Sequence, residues 1–499
     1  MKLPLPITAL IVITSLPAFS EEPTFSDDIA PIIFNNCTSC HRPGEAAPFS
    51  LTDYQSVKRK AGTIARVTGE GFMPPWHPEP GWGEFRGKMS LNQEQIDLIS
   101  KWVDSGAPEG DPEKTPELPN FPEGWSLGKE PDVILEMDES FEIHAEGNDI
   151  YRYFVLPLDL PEDKWVRAVD VRPSARTVVH HVLFFLDNKK GARKLAAADD
   201  KPGFKGKGFK ATGSLGGWAV GGTPLDLSED FAMPMAKGSD LVLQTHFHPT
   251  GKTEKEKTKV GIYFADMAPE KRLIEFQVPP DFGGKTGLNV APGESAYKLH
   301  DHLIVPEDMD LVTCWGHAHQ ICSSVQAEAT MPDGSKQKLF RISKWQFNWQ
   351  GQFAYEKPMH LPKGTRIDTL ITYDNSSANP TNPFSPPHRI YWGEQSNDEM
   401  GSIIFKCVAS DKSKHAALAG GLKKERDASR KRFKGNLDTA IRRLIVMKGD
   451  KNFDDRLEIK EVEKEHHPIF HILDANKDGY VTVTEVDAKA KLLDKVLKK

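Results

Sequence analysis

The 499-residue chain reads as a multidomain, β-rich protein, with two antiparallel, jelly-roll-like β-sandwiches standing between small α-helical modules. Three observations predict this. Short β-branched and aromatic runs recur from about residue 130 to residue 410, separated by turn signals at intervals suited to sandwiches. The 37 prolines and 39 glycines favour strands and turns over long helices. Helical periodicity is concentrated at the two ends of the chain.

The first element is an export signal. Lys2, an apolar core from Ile7 to Leu16, and Ala18-Phe19-Ser20 before Glu21 match a cleaved secretory peptide over residues 1–20. The core is too short to span a bilayer, so no transmembrane segment is expected after cleavage, and the expected location is periplasmic or secreted. Losing Lys2 takes the formal net charge from −7 to about −8, with no broad basic field, which argues against nucleic acid as a partner.

Residues 21–110 form the next unit, built on Cys37-Thr38-Ser39-Cys40-His41. In C-x-x-C-H two thiols capture haem vinyl groups and the histidine takes the iron, which implies haem c and an oxidising compartment. Met73, in Phe72-Met73-Pro74-Pro75-Trp76-His77, is the first choice for the sixth ligand, with His77 and Met89 as alternatives. A helix is predicted from Leu91 through Ile96, Leu98, Ile99 and Trp102 to Gly106-Ala107-Pro108. With Cys-x-x-Cys-His-Arg-Pro-Gly, Met-Pro-Pro-Trp-His and Trp102-Val103-Asp104-x-Gly106-Ala107-Pro108, the unit resembles the small cytochrome c domains fused to bacterial periplasmic enzymes. A proline-rich spacer occupies 111–129.

The β-rich stretch exceeds one ordinary sandwich and is divided near Pro279-Pro280 and Gly283-Gly284, giving 130–285 and 286–410. Strands are predicted at Thr177 to Leu186, Asp240 to Phe247, Lys259 to Phe264 and Leu311 to Trp315. Histidines cluster on them. His180-His181 lies inside an apolar run where unpaired imidazoles are costly, and His246 with His248, like His317-Ala318-His319, has the spacing that puts both rings on one strand face. Acidic residues are absent from these runs, so nitrogen and sulfur donors favour copper or zinc, and the redox company favours copper. His300-Asp301-His302 repeats the spacing and is read as a surface or supporting pair. Gln244 either orients groups near His246 or is an ordinary strand residue. Cys314, Cys322 and Cys407 allow one disulfide and one free thiol, with the pairing open.

Five spaced blocks, Thr177-Val178-Val179-His180-His181, Leu243-Gln244-Thr245-His246, Pro292-Gly293-Glu294, Gly316-His317-Ala318-His319 and Trp392-Gly393-Glu394-x-x-x-Asp398-Glu399-Met400, carry a resemblance over 130–410. They resemble the copper type II, ascorbate-dependent monooxygenases, the family of dopamine beta-monooxygenase and peptidylglycine alpha-hydroxylating monooxygenase. The resemblance implies one copper at His180, His181 and His246 that stores and passes an electron. It implies a second at His317, His319 and Met400, facing the first across a cleft, where dioxygen hydroxylates a substrate C–H bond. The family block ends at His246, which leaves His248 outside the ligand set. Amidating members bind the peptide carboxylate with an arginine and a tyrosine where this chain has Trp315 and Ile404, so a more apolar substrate is expected.

Residues 411–436 read as a basic solvated helix or linker, and 437–499 as a calcium-binding helical pair. Asp474, Asn476, Asp478, Tyr480 (through its carbonyl), Thr482 and Glu485, with Gly479 at the turn, fit an EF-hand loop. An earlier copy at Asp450, Asn452, Asp454, Glu458 and Glu461 has Asp455 where glycine is wanted. The sequence thus predicts an exported copper monooxygenase with haem c, two coppers and calcium, acting on a small molecule and dioxygen and served by an upstream electron donor. The alternative is a copper and haem protein for electron transfer or sensing, held on a calcium-stabilised scaffold.

Overall fold

The computed structural model describes residues 22–496 except 44, 46, 122–123, 207, 220–223, 228–230, 448 and 453; the export signal lies outside the described residues. The fold is mostly antiparallel β-sheet with helices at both ends, and no helix among the described residues is long and apolar enough to cross a membrane. The chain divides into two compact units. One comprises the described residues of Met1–Pro74 with Met89–Asn120, the other Pro75–Lys88 with Phe121 onward. The sequence had kept Pro75–Lys88 inside 21–110. Backbone hydrogen bonds explain its place in the second unit: Glu79 to Arg341 (2.8 Å), Arg86 to Ala354 (2.9 Å) and Glu356 to Glu84 (2.9 Å), with Phe85 buried beside Tyr355.

The first unit is helical. A π-turn over Phe25–Ile29 runs into α1 (Ala30–Asn36), followed by α2 (Tyr54–Lys58), α3 (Ala61–Gly69) and α4 (Gln93–Asp104). Capping boxes start two of them, Asp53 with Ser56 and Asn92 with Gln95, satisfying N–H groups that a helix leaves open. Ile99 and Trp102, three apart on α4, are fully buried against Phe25, Ile29 and Ile33, and the Trp102 indole donates to the Pro108 carbonyl at 2.9 Å. Trp102→Ala removes the largest side chain in this core and is expected to cost about 3–5 kcal/mol. Gly106 ends the helix at φ +89°.

In the second unit, ten strands form the first sandwich: β1 (Val133–Glu136), β2 (Phe141–Ile143), β3 (Ile150–Leu156), β4 (Lys164–Arg172), β5 (Val179–Asp187), β6 (Gly213–Ala219), β7 (Met233–Met235), β8 (Asp240–Phe247), β9 (Glu254–Glu256) and β10 (Lys259–Phe264). The sheets β1-β10-β4-β7 and β3-β8-β5-β6 share one core, in which Val166, Val171, Val260 and Ile262 meet Val182, Phe184, Leu243 and Phe247. A short helix, α5 (Gly191–Ala197), follows β5.

The second sandwich has β11 (Ile274–Val278), β12 (Asn289–Val290), β13 (Tyr297–Ile304), β14 (Met309–Ala318), β15 (Cys322–Thr330), β16 (Lys336–Ile342), β17 (Phe353–Leu361), β18 (Arg366–Tyr373), β19 (Ile390–Tyr391) and β20 (Gly401–Ala409). Its main sheets are β11-β20-β14-β17 and β13-β18-β15-β16. Because β11 pairs with β20, the division between sandwiches falls before Ile274 and not near residue 285. All nine residues of β20 are buried. Ile403, Phe405 and Cys407 enter its own core, while Val408, with Val312 of β14, joins the core of the first sandwich. Cys314, Cys322 and Cys407 are buried and free, so the disulfide left open by the sequence does not form.

The stretch read as a basic solvated helix or linker is α6 (His415–Arg432), a helix docked on the second sandwich. Leu418 and Leu422, four apart, join its core, and two arginines of its last turn pair with the sandwich while Lys423, Lys424 and Lys431 stay exposed: Arg430 grips Asp281 at 2.7 and 2.6 Å, and Arg432 reaches Asp301 at 2.7 Å. Beyond it lie α7 (Lys434–Met447), β21 (Arg456–Glu458), α8 (His467–Leu473), β22 (Tyr480–Thr482), α9 (Val483–Ala488) and α10 (Ala490–Val496). β21 and β22 pair antiparallel through Leu457 and Val481, joining the two acidic loops over a small core of Phe470, Leu473, Val481 and Val486.

Candidate metal centre

His180 and His181 open β5, and His246 faces His181 in register on β8. The register places His181 beside His246, and the irregularity between Val179 and His181 leaves His180 outside the pairing. Nδ1 of His181 lies 3.1 Å from Nδ1 of His180 and 3.4 Å from Nδ1 of His246. Ligands about 2.0–2.1 Å from a tetrahedral ion stand about 3.3 Å apart. One ring proton serves one such contact well; a cation at their centre serves all three. Burial holds all three rings below the ordinary histidine range, His180 down to about 3, with neighbouring histidines adding to the effect, so they are neutral lone-pair donors.

Asp149 stands behind this set. Its Oδ2 is 3.1 Å from Nε2 of His246, outside good hydrogen-bond alignment, and its Oδ1 takes Nδ1 of His248 at 2.8 Å. His248 is mostly exposed and is held by Asp149 outside the three-nitrogen set. The carboxylate also accepts from Ser396, on the loop that leads to Met400. Tyr151 stacks on His246 at 4.3 Å.

His317 and His319 lie at the end of β14, where Ala318 pairs with Gly401 of β20, so Met400 continues that strand opposite His319. Both rings are buried and neutral, His317 lowered to about 4, and both are held by Nδ1: His317 against Gln350 Oε1 at 2.7 Å, His319 against the Asp398 carbonyl at 3.3 Å. That leaves Nε2 of each for a metal. Glu399 clips the elements together by accepting backbone N–H groups from His319 (2.5 Å), Met400 (2.8 Å) and Ile321 (3.2 Å); desolvation pushes its carboxyl up to about 8.

The two sets adjoin instead of facing each other over an open cleft. The His181 and His317 rings are 6.3 Å apart, and Phe347 stacks on His180 at 4.7 Å while lying 6.0 Å from His319. Beside His317 stand Phe282 (5.1 Å) and Trp315 (6.1 Å), whose indole N–H is buried without a hydrogen-bond partner; Ile404 pairs with Trp315 in register. Asp281 and Phe282 both adopt left-handed backbone (φ +56° and +52°), a strained turn held by Arg430 and by the Trp392 indole on the Phe282 carbonyl at 3.0 Å.

Other candidates lie elsewhere. His300 pairs with Asp368 on exposed β13, near His302, and Gln244 bonds Tyr153. Asp149, Phe347, Gln350 and Phe282 were missed by sequence reasoning. The one available signal was the aromatic and amide run Trp345-Gln346-Phe347-Asn348-Trp349-Gln350.

In the first unit, Cys37 caps the end of α1 and the motif folds into a tight turn, with the His41 N–H on the Cys37 carbonyl at 2.9 Å. Nδ1 of His41 is taken by the Phe49 carbonyl at 3.0 Å, which leaves Nε2 to ligate. Burial, with Cys40 adding, pushes the Cys37 thiol up to about 12, opposite to the lowered thiol of a redox dithiol. Met73 and Met89 belong to this unit; His77, buried and lowered to about 4, belongs to the other.

Between α8 and α9, Asp474 Oδ1 and Oδ2 accept from Asp478 and Gly479 (3.1 Å each), and Glu485 accepts from Ala475 (3.0 Å) and Thr482 (2.9 Å). The side-chain oxygens of Asp474, Asn476, Asp478, Thr482 and Glu485 share the loop with the Tyr480 carbonyl, and Gly479 supplies φ +87°. In the first loop Asp455 takes that conformation itself (φ +61°), and its carboxylate holds Arg389 of the second sandwich at 2.8 and 2.9 Å.

No family model matches the chain, and no curated protein matches it. Solved structures similar to it include a protein of Sulfolobus turreted icosahedral virus, at 10% identity over 61% of this chain and 98% of that one, with a TM-score of 0.25. PNGase F, a glycosylasparaginase from Flavobacterium meningosepticum, is also 10% identical over 56% of this chain and 96% of its own, with a TM-score of 0.21. At such TM-scores neither likeness bears on what the histidine clusters do.

Proposed function

We propose that the chain is an exported copper monooxygenase that hydroxylates a C–H bond of a fairly apolar small molecule, fed by its own c-type haem. The observation that carries the reading is the pairing of two dissimilar donor sets: three converging Nδ1 atoms beside two Nε2-presenting histidines and a methionine. Nitrogen and thioether donors without carboxylate suit copper in both oxidation states, and copper bound there supplies one-electron and dioxygen chemistry.

The residues divide the work. His180, His181 and His246 keep a fixed three-nitrogen geometry, which suits storing and passing an electron. His317, His319 and Met400 offer a softer set with room for a further ligand. Phe282 and Trp315 form the wall beside His317, excluding water and favouring an apolar substrate, while the unpartnered Trp315 N–H is available to a substrate acceptor. Cys37, Cys40, His41 and Met73 are the haem residues of this reading, and tethering a donor in the same chain raises its effective concentration. Asp474, Asn476, Asp478, Tyr480, Thr482 and Glu485 hold calcium in the C-terminal pair.

The test is oxygen uptake by copper-loaded, reduced protein against a panel of aliphatic and aromatic compounds. Substrate-dependent uptake with hydroxylated product is expected. Uptake that no panel member stimulates would favour the electron-transfer or sensing reading.

A further inference from the structure

We propose that the cleft around Lys406, between the two sandwiches and away from the histidines, is a binding site for a small apolar carboxylate. Lys406 is one of nine consecutive buried residues on β20 and is 3% exposed. Its Nζ has the Met233 thioether at 3.4 Å, a weak acceptor for an ammonium. Glu275, opposite it in register on β11, also lines the cleft, but it is exposed and attracts Lys406 only through longer-range charge, with no hydrogen bond between them. A buried cation so poorly satisfied calls for an explanation.

The surroundings supply one. Lys406 lines a cleft of about 640 Å³, the size of a small-molecule site, whose walls include Phe185, Leu186, Met233, Leu273 and Ser214. Phe185 and Leu186 lie toward the far end of β5 from His181, about 13 Å along the strand at four residues' separation. Gly216 on β6 makes space for the ammonium: a Cβ there would come within 2.9 Å of Nζ. Ser214 Oγ accepts from the Gly216 N–H at 3.2 Å, which leaves its own hydroxyl proton to donate.

Lys406 is the one cation among the described lining residues, and its buried ammonium, with the Glu275 carboxylate on the exposed side of the cleft, matches a ligand with one negative charge and a hydrocarbon body. A carboxylate supplies the counter-charge that Met233 does not, and a phosphate dianion would leave charge unbalanced. Burial lowers the Lys406 pKa by disfavouring the charged form, and a carboxylate beside it would oppose that shift. The inference is independent of the copper reading.

Calorimetry on the full-length protein with octanoate, octanol and octylamine tests it. Octanoate is expected to bind at least about tenfold more tightly than octanol, with octylamine weakest. Lys406→Met should erase the preference, and Ala211→Trp, on the exposed rim of the cleft, should weaken octanoate and octanol alike. Octanoate binding no tighter than octanol, a preference that survives Lys406→Met, or binding untouched by Ala211→Trp would each overturn the proposal. Ala211→Trp leaves Lys406 in place, so a folding failure of Lys406→Met passes the decision to it.

Discussion

The two histidine sets are built in opposite ways. His180, His181 and His246 sit on neighbouring central strands and converge through Nδ1, with Asp149, Tyr151 and Phe347 against the rings. His317 and His319 present Nε2, because Gln350 and the Asp398 carbonyl occupy their Nδ1 atoms, and Met400 comes from the loop side of β20. The first site is preorganised by secondary structure and suits a role in which geometry does not change. The second depends on loops and a buried carboxylate clip, so it can exchange ligands without disturbing the sheets.

That contrast can be broken at its strongest point. His181 touches both other donors of its set, so His181→Ala is expected to weaken copper binding there more than about a hundredfold. Competition with a chelator should then find one tight copper instead of two, at the histidine and methionine set, and substrate-driven oxygen uptake should vanish. The next largest effect lies on the other side. Glu399→Ala strips acceptors from buried N–H groups of His319, Met400 and Ile321 and is expected to cost about 3–5 kcal/mol in urea unfolding. Its damage to metal binding should fall mainly on the second site.

Much of this was readable from the chain, and the reasons are local. Asp240–Phe247 and Lys259–Phe264 stand out because β-branched and aromatic residues run between turn signals, and the structure has strands at those bounds. The clustered histidines stand out by type and spacing. β11 was misassigned because its partner, β20, is over a hundred residues away, and pairing at that distance leaves no mark on five residues of sequence. The α6 segment looked like a linker because two leucines are too thin a stripe to notice, and Asp281 and Asp301 are not its sequence neighbours. Asp149, Gln350 and Phe347 were illegible for the same reason: each works by proximity created by the fold, as when Asp149 reaches Ser396 from the other sandwich.

Asp149 sharpens the comparison further. Asp149→Asn keeps the shape but removes the negative charge behind His246, and a 10–100-fold loss of affinity is expected at the first site, with less than about threefold at the second. Equal losses at both would mean that the Ser396 contact, and not the support of His246, is what matters. The smallest effect is expected at Arg430. Its pair with Asp281 is partly exposed, so Arg430→Ala should cost about 0.5–1 kcal/mol in stability. By loosening the strained turn that sets Phe282 beside His317, it should raise KM about threefold with kcat nearly unchanged.

X-ray absorption at the copper edge tests the central distinction most directly. In the reduced, copper-loaded protein, one of two coppers should show sulfur scattering over a nitrogen shell, and Met400→Ala should remove the sulfur while the three-nitrogen copper at His180, His181 and His246 persists. A spectrum with no sulfur in the wild type, or loss of both coppers in Met400→Ala, would contradict two separate and dissimilar sites.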